Sequence, residues 1–339
     1  MNRNQLGVIP GINPIFISGV YRSGTTFLTA LIGNHPNISA AASTVKYLRI
    51  CLPKYDLGNS NNLDDLLQET AHRIYRRWSL TLDLNKVREK LTKTSVTHAL
   101  VYNAIMHTLL VETKPGSQRW AEKINTNWRD IPKFLEMFPN GSVIHIFRDP
   151  RDVSASYKNM TYEPWPTFLD AALNCKAAMI EVPDYVKRYG SDRILIVRAE
   201  DLALNLSNEL QKIFMFLGEP YDENMLDLDN YVAIKGEDWR TNTSFEITEK
   251  NYTKATKRWT TALSKEELFF IELFCQPEMA KFKYNGSGQS VAQLDAYKIT
   301  QILSDEWLSE RIKIYLSHGA PEQGYRSDPY ETEMKIVFG

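Results

Sequence analysis

The chain has 339 residues, 43% hydrophobic and 24% charged, with a formal net charge of −1, the balance of a globular protein large enough to bury a substantial core. A pI near 6.6 excludes a global basic field for nucleic acid or an anionic membrane, so any anion site must be a local cluster of arginine and lysine. Three distant cysteines, Cys51, Cys175 and Cys275, give neither a disulfide framework nor metal-ligand spacing and read as small buried residues.

Met1 to Pro10 lacks an apolar core of signal-peptide length, and no run of 18 or more apolar residues occurs, so no membrane span and a cytoplasmic location are expected. Pro14 to Ile17 is short and β-prone. It leads through Gly19-Val-Tyr-Arg-Ser-Gly24 into Thr25 to Ile32, the first turns of an amphipathic helix. Strand, glycine loop and helix in that order put Gly19 and Gly24 where a P-loop has its glycines, with backbone N–H groups and the positive helix end turned toward an anion. A triphosphate-binding loop reads G-x-x-x-x-G-K-[ST]. Here Thr25 fills the lysine place and the cation is Arg22, inside the loop; the alternative is a plain tight turn carrying an incidental arginine.

His35-Pro36-Asn37 stops the helix, a short helix is expected within Ser43 to Leu52, and Pro53 to Asn62 reads as loop. Apolar residues at three- and four-residue spacing from Leu63 to Leu91 and from Val96 to Val111 predict a helical insertion, about residues 53–115, between the first and second strands. A strand at Gln118 to Lys123, a helix from Asp130 to Phe138 and a buried strand at Ser142 to Phe147 follow. Helices at Arg151 to Asn159 and Thr167 to Tyr189, a strand at Arg193 to Val197, and a helix at Leu202 to Leu217 closed by Gly218 come next. Residues 221–256 read as irregular. Ser264-Lys-Glu-Glu opens a helix to Lys281 through a capping box, and a last helix near Ile299 to Leu316 precedes a polar tail. Alternating strands and helices predict one α/β domain over residues 1–339: a parallel sheet between helical layers, ligands at the carboxyl ends of the strands, and a C-terminal extension over about 286–339.

A second anion site is expected where Arg148 ends a strand and Ser156 stands eight residues later on the next helix. A guanidinium presents a planar fork to phosphate, and a helical hydroxyl completes the contact. The alternative is an ion-pair network among Arg148, Asp149, Arg151 and Asp152.

Taken together these motifs resemble a family. Tyr21-Arg-Ser-Gly-Thr-Thr-Phe-Leu resembles the 5′-phosphosulfate loop of the sulfotransferases that use 3′-phosphoadenosine 5′-phosphosulfate, and Arg148 with Ser156 resembles that family's 3′-phosphate motif. Ala121-Glu-Lys-Ile-Asn, Pro139 to Asp152, Arg193 to Leu202, and Lys257-Arg-Trp259 with Leu263-Ser264 are similar to further segments of it, so the resemblance runs over about residues 13–285. It implies a three-layer, P-loop nucleoside-kinase-like fold and a sulfuryl transfer to a hydroxyl or amine of a carbohydrate, lipid or small molecule. The implied product is 3′-phosphoadenosine 5′-phosphate, and no metal is required. In this reading Arg22 and Lys123 flank the sulfuryl group, Ser23, Gly24, Thr25 and Thr26 hold the 5′ phosphate, and Arg148 and Ser156 hold the 3′ phosphate. Arg258 reaches the nucleotide, with Thr243 or Ser244 as companion.

Where the family places a catalytic glutamate or histidine, this chain has Ser43 and Asn125. Glu122, next to the lysine, is the leading candidate base, or equally a structural partner for a neighbouring cation, with the helical His98 and His107, residues more often packed or solvated, as the others; His145 reads as a core residue. Tyr75, Trp78, Tyr162, Trp165 and Phe168 are candidates to line an acceptor pocket but are read mostly as core, with Trp165 expected on a loop near the site. A P-loop kinase or nucleotide hydrolase, and a non-catalytic nucleotide-binding protein of the same fold, are the competing readings. Oligomeric state is not legible.

Overall fold

The structure is a computed structural model that describes residues 6–42, 45–91, 96–125, 128–159, 161, 163–229, 231, 256–321 and 324–326. Its centre is a parallel sheet of β1 (Ile15–Gly19), β2 (Ile38–Ala42), β3 (Arg119–Asn125), β4 (Ser142–Phe147) and β5 (Ile194–Arg198), in the order β2-β3-β1-β4-β5. β1 lies centrally, Ile17 opposite Lys123 on one side and Ile144 on the other. The strands are buried on both faces, as a parallel sheet covered by helices requires.

Alternation of side chains divides the core in two. Ile15, Ile17, Ala121, Ile144 and Ile146 face α1 (Thr25–Gly33) and the helices after β5, α9 (Ala199–Leu204) and α10 (Leu206–Leu217). Phe16, Trp120, Ile124, Val143 and Phe147 belong to the larger cluster on the other face.

Most predicted elements fall within a residue or two of their place. The main correction is β2, whose Ile-Ser-Ala-Ala-Ala sequence carries little strand propensity. Its small side chains serve the packing: a Cβ built on Gly33 of α1 would lie 2.9 Å from the Ala40 Cβ. The helical insertion therefore lies between the second and third strands. It comprises α2 (Tyr47–Lys54), α3 (Ser60–Trp78), α4 (Leu84–Leu91) and α5 (His98–Met106), the last continuing in a π-turn over His107–Val111. Ser79, at φ 54, ends α3 where a continuous helix was expected.

After β3, α6 (Ile131–Met137) leads to β4, and α7 (Pro150–Lys158) and α8 (Asp170–Tyr189) lead to β5. The expected helix from Leu202 is two helices meeting at Asn205, and Gly218 closes α10 in the left-handed conformation (φ 69). Beyond the undescribed residues come α11 (Trp259–Ala262), α12 (Lys265–Lys281), opened by the expected capping box at Ser264, α13 (Ala296–Leu303) and α14 (Glu306–His318). The last two replace the single helix expected near Ile299 to Leu316. Asp305 separates them as the N-cap of α14, its Oδ1 accepting Leu308 N–H at 3.0 Å.

Candidate active site

The carboxyl ends of β1, β3 and β4 converge on one loop. Gly19 and Gly24, which bracket it, are small for different reasons. A Cβ on Gly19 would lie 2.6 Å from Ser23 Oγ and 2.7 Å from Thr25 Cγ2, so the chain there has no room for a side chain. Gly24 has room, the nearest atom lying at 3.5 Å, but sits at φ 95, where L-residues are strained. Ser23 closes the turn, its hydroxyl donating to Val20 O at 2.7 Å. Arg22 itself holds a left-handed φ of 69, strain of a kind that persists where the surroundings impose it.

Two hydrogen bonds join this loop to the β4–α7 motif. Arg22 Nε donates to Ser156 Oγ at 3.0 Å, and Arg148 Nη1 donates to Arg22 O at 2.7 Å. Lys123 reaches in from β3, its Nζ donating to Thr26 Oγ1 at 3.1 Å. Burial and the nearby charges of Arg148 and Arg258 lower the Arg22 pKa to about 10. Like charges are thus gathered on a loop whose amides also favour an anion, an arrangement that an anionic ligand would stabilise.

Hydrogen bonds thus join Arg22, Thr26, Lys123, Arg148 and Ser156 in one place, Ser23 and Thr25 lie on the same loop, and Arg258 is near enough for its charge to act on Arg22. Thr243 and Ser244 lie outside the described residues, as do Ser43 and Tyr162. Arg148 turns to the loop while Arg151 forms the ion pairs: its Nη2 bonds Asp149 Oδ2 at 2.6 Å and its Nη1 bonds Glu272 Oε1 at 2.8 Å.

Glu122 is placed differently from the expectation. It alternates with Lys123 along β3 and so faces the other side of the sheet, fully buried. Oε1 accepts the N–H groups of Val45 at 2.9 Å and Lys46 at 2.6 Å, and Oε2 accepts the Tyr102 hydroxyl. Burial raises its pKa. It tethers the start of α2 and does not stand beside Lys123.

His98 is also buried, between the Tyr47 hydroxyl at Nδ1 and Tyr55 O at Nε2. His107 sits in the π-turn 3.5 Å from Glu112. His145 is a core residue as expected, its Nδ1 3.2 Å from Ser18 Oγ. Of the aromatic residues read as core, Phe168 is buried, whereas Tyr75 is exposed; Trp165 is exposed on a loop, as expected.

Sequence reasoning missed Asp152 as an anchor. Its carboxylate accepts Lys257 N–H at 2.8 Å and Trp259 N–H at 3.1 Å, the two amides that bracket Arg258. The Arg151 guanidinium stacks over the Trp259 ring at 4.2 Å. The motif Arg-Asp-Pro-Arg-Asp announced its charges but not which carboxylate would take backbone amides.

A sulfotransferase family model matches residues 14–223, more than half of the chain. The chain belongs to the sulfotransferase family. It is 24% identical over 225 residues to a protein-tyrosine sulfotransferase of Drosophila melanogaster, a match covering 64% of this chain and 40% of that protein. To protein-tyrosine sulfotransferase A of Caenorhabditis elegans it is 24% identical over 227 residues, covering 65% and 53%. The match thus spans about half or less of the curated relatives' length.

Among solved structures, the sulfotransferase domain of the Synechococcus PCC 7002 olefin synthase superposes with a TM-score of 0.57 at 18% identity, covering 82% of this chain and 96% of that one. The sulfotransferase domain from the curacin biosynthetic pathway gives 0.54 at 17% identity, covering 82% and 99%. Both share the fold of this chain. Among the described residues, no helix is long and apolar enough to cross a membrane.

Proposed function

We propose that this sulfotransferase takes a sulfuryl group from 3′-phosphoadenosine 5′-phosphosulfate and passes it to a hydroxyl or amine of a carbohydrate, lipid or small molecule. The observation that carries the donor reading is the joining of two anion-binding motifs. The loop's Arg22 and the Arg148 and Ser156 of the β4–α7 segment are bonded to each other, as binding one nucleotide with phosphate at both ends requires.

In this reading the loop amides, Ser23, Gly24, Thr25 and Thr26 take the 5′ phosphate, and Arg148 and Ser156 take the 3′ phosphate, with Arg258 alongside and Thr243 or Ser244 as its companion. The donor would supply an activated sulfur–oxygen bond: as the acceptor oxygen or nitrogen bonds to sulfur, the breaking bond's electron pair would leave with the nucleotide's phosphate oxygen and the acceptor's proton would pass to solvent water. Arg22 and Lys123 stabilise charge on the transferring group and the departing oxygen without requiring a metal. Glu122 acts at one remove, fixing the Val45–Lys46 turn. Three free, buried cysteines fit the reducing compartment that a cytoplasmic location entails.

Isothermal titration with 3′-phosphoadenosine 5′-phosphate is expected to show binding without magnesium, weakened by about 1.5–3 kcal/mol in Arg148→Ala, the worth of a charge-assisted contact. No binding by the wild-type chain would remove the proposal, and magnesium-dependent ATP turnover would favour a kinase. The two curated relatives are named protein-tyrosine sulfotransferases, so a tyrosine peptide belongs in the acceptor panel beside sugars, lipids and phenols.

A further inference from the structure

The C-terminal extension lies beyond the family match, yet one of its residues touches both halves of the site. The Tyr325 ring packs against Tyr21 of the glycine loop at 5.1 Å and against Tyr157, the neighbour of Ser156 on α7, at 5.0 Å between centroids. Tyr325 is 5% exposed, and the residues on either side of it are pinned to the start of α8. Gly324 N–H donates to Asn174 Oδ1 at 2.9 Å, and Arg326 N–H donates to Asp170 Oδ2 at 3.1 Å. The same Asp170 oxygen accepts Trp307 Nε1–H of α14 at 2.9 Å. Asp170 and Asn174 are themselves fully buried, so the core of α8 uses its polar groups to hold this segment in place.

We propose that Tyr325 is a positioning residue that holds the glycine loop and α7, and with them the two phosphate sites, at a fixed separation. The inference rests on the nucleotide reading above. Direct bonds between the loop and the β4–α7 segment involve the Arg22 and Arg148 guanidiniums and the Ser156 hydroxyl, groups that phosphates would claim. The tyrosine contacts, one edge-on and one tilted, use no group for which a nucleotide competes, and so they keep the sites in register when the direct bonds are exchanged for ligand.

A bisphosphate engages both sites and gains from their preset spacing, as any two-point ligand does, whereas a monophosphate engages one and gains nothing. The ratio of the two affinities therefore reports register, which a merely structural residue would leave unmoved.

The test is calorimetric titration of the full chain with adenosine 3′,5′-bisphosphate, adenosine 5′-monophosphate and adenosine 3′-monophosphate. Tyr325→Ala is expected to weaken the bisphosphate about tenfold and each monophosphate by less than about twofold. Tyr325 Oη has no hydrogen-bond partner among the described residues, so Tyr325→Phe is expected to match the wild type. Tyr325→Leu keeps an apolar, branched side chain of intermediate size but loses the ring, and carries the measurement should the alanine variant not fold; it too is expected to weaken the bisphosphate selectively. An equal loss for all three nucleotides, or none, overturns the proposal. A wild-type chain that fails to bind the bisphosphate overturns instead the reading on which it rests.

Discussion

Replacing Glu122 by glutamine separates a proton-transferring carboxylate from a tether. Three donors converge on Glu122: the amides of Val45 and Lys46 and the Tyr102 hydroxyl. A glutamine keeps one oxygen for both amides and turns its NH2 to the phenol, which changes from donor to acceptor. What is lost is charge assistance, about 1 kcal/mol per bond, partly offset because an ionised carboxylate is no longer buried. The net destabilisation is expected at about 1–2 kcal/mol by denaturant unfolding. Alanine strands two amides and a hydroxyl at about 1–3 kcal/mol each, so about 3–9 kcal/mol. Burial raises the folded pKa of Glu122, so what its protonated form adds to stability is full at acid pH. That contribution falls as pH climbs from the usual carboxylate value of about 4.3 through the raised one; the wild type's advantage over the glutamine variant should shrink along the same path. Turnover at saturating donor, in a folded Glu122→Gln protein that still binds the bisphosphate nucleotide, is expected within about fivefold of wild type. A loss of about 100-fold or more, the scale of a missing general base, would return Glu122 to catalysis and refute the tether.

Two further outcomes follow from other contacts. Asp152→Ala frees the amides on both sides of Arg258 and is expected to weaken nucleotide binding about tenfold. In a double-mutant cycle with Arg258→Ala its effect should largely vanish, and full additivity would show that Asp152 does not act through Arg258. His145 is fully buried, with Nε2 unpartnered among the described residues and its pKa lowered to about 3. Below about pH 6.5 the unfolded chain gains a proton that the folded one refuses, so stability falls toward acid. His145→Leu is expected to reduce that slope by about 1.4 kcal/mol per pH unit between pH 6 and 4, read from urea unfolding; an unchanged slope would mean that His145 is protonated in the fold.

What could be read in the sequence followed the range of the interactions. The glycine loop was legible because its causes are local: no space at Gly19, a left-handed φ at Gly24, and a strand and helix on either side. β2 was not, because Ala40 answers to Gly33 of α1 rather than to strand propensity. Sequence neighbours misled at Glu122 and Lys123, although period-two alternation on a buried strand already separates their faces. The breaks at Ser79, Asn205 and Asp305 lie within otherwise helical periodicity. Tyr325 gave no signal, since its partners Tyr21 and Tyr157 lie 304 and 168 positions back along the chain and its flanks are polar.

The same distinction separates the two halves of the chemistry. Binding a phosphate asks for backbone amides and a convergence of cations, which a short motif specifies and a sheet end delivers; lowered to about 10, Arg22 is still protonated at neutral pH and the cluster keeps its charge. Receiving the acceptor's proton asks for one side chain at one point, and any element bordering the acceptor can provide it. Here β3 turns its carboxylate away, and the buried His98 is already engaged at both ring nitrogens. In the proposed reading the family's motifs would build the donor half, while this chain's own insertion and loops would set the acceptor half, where relatives of such low identity have least to say.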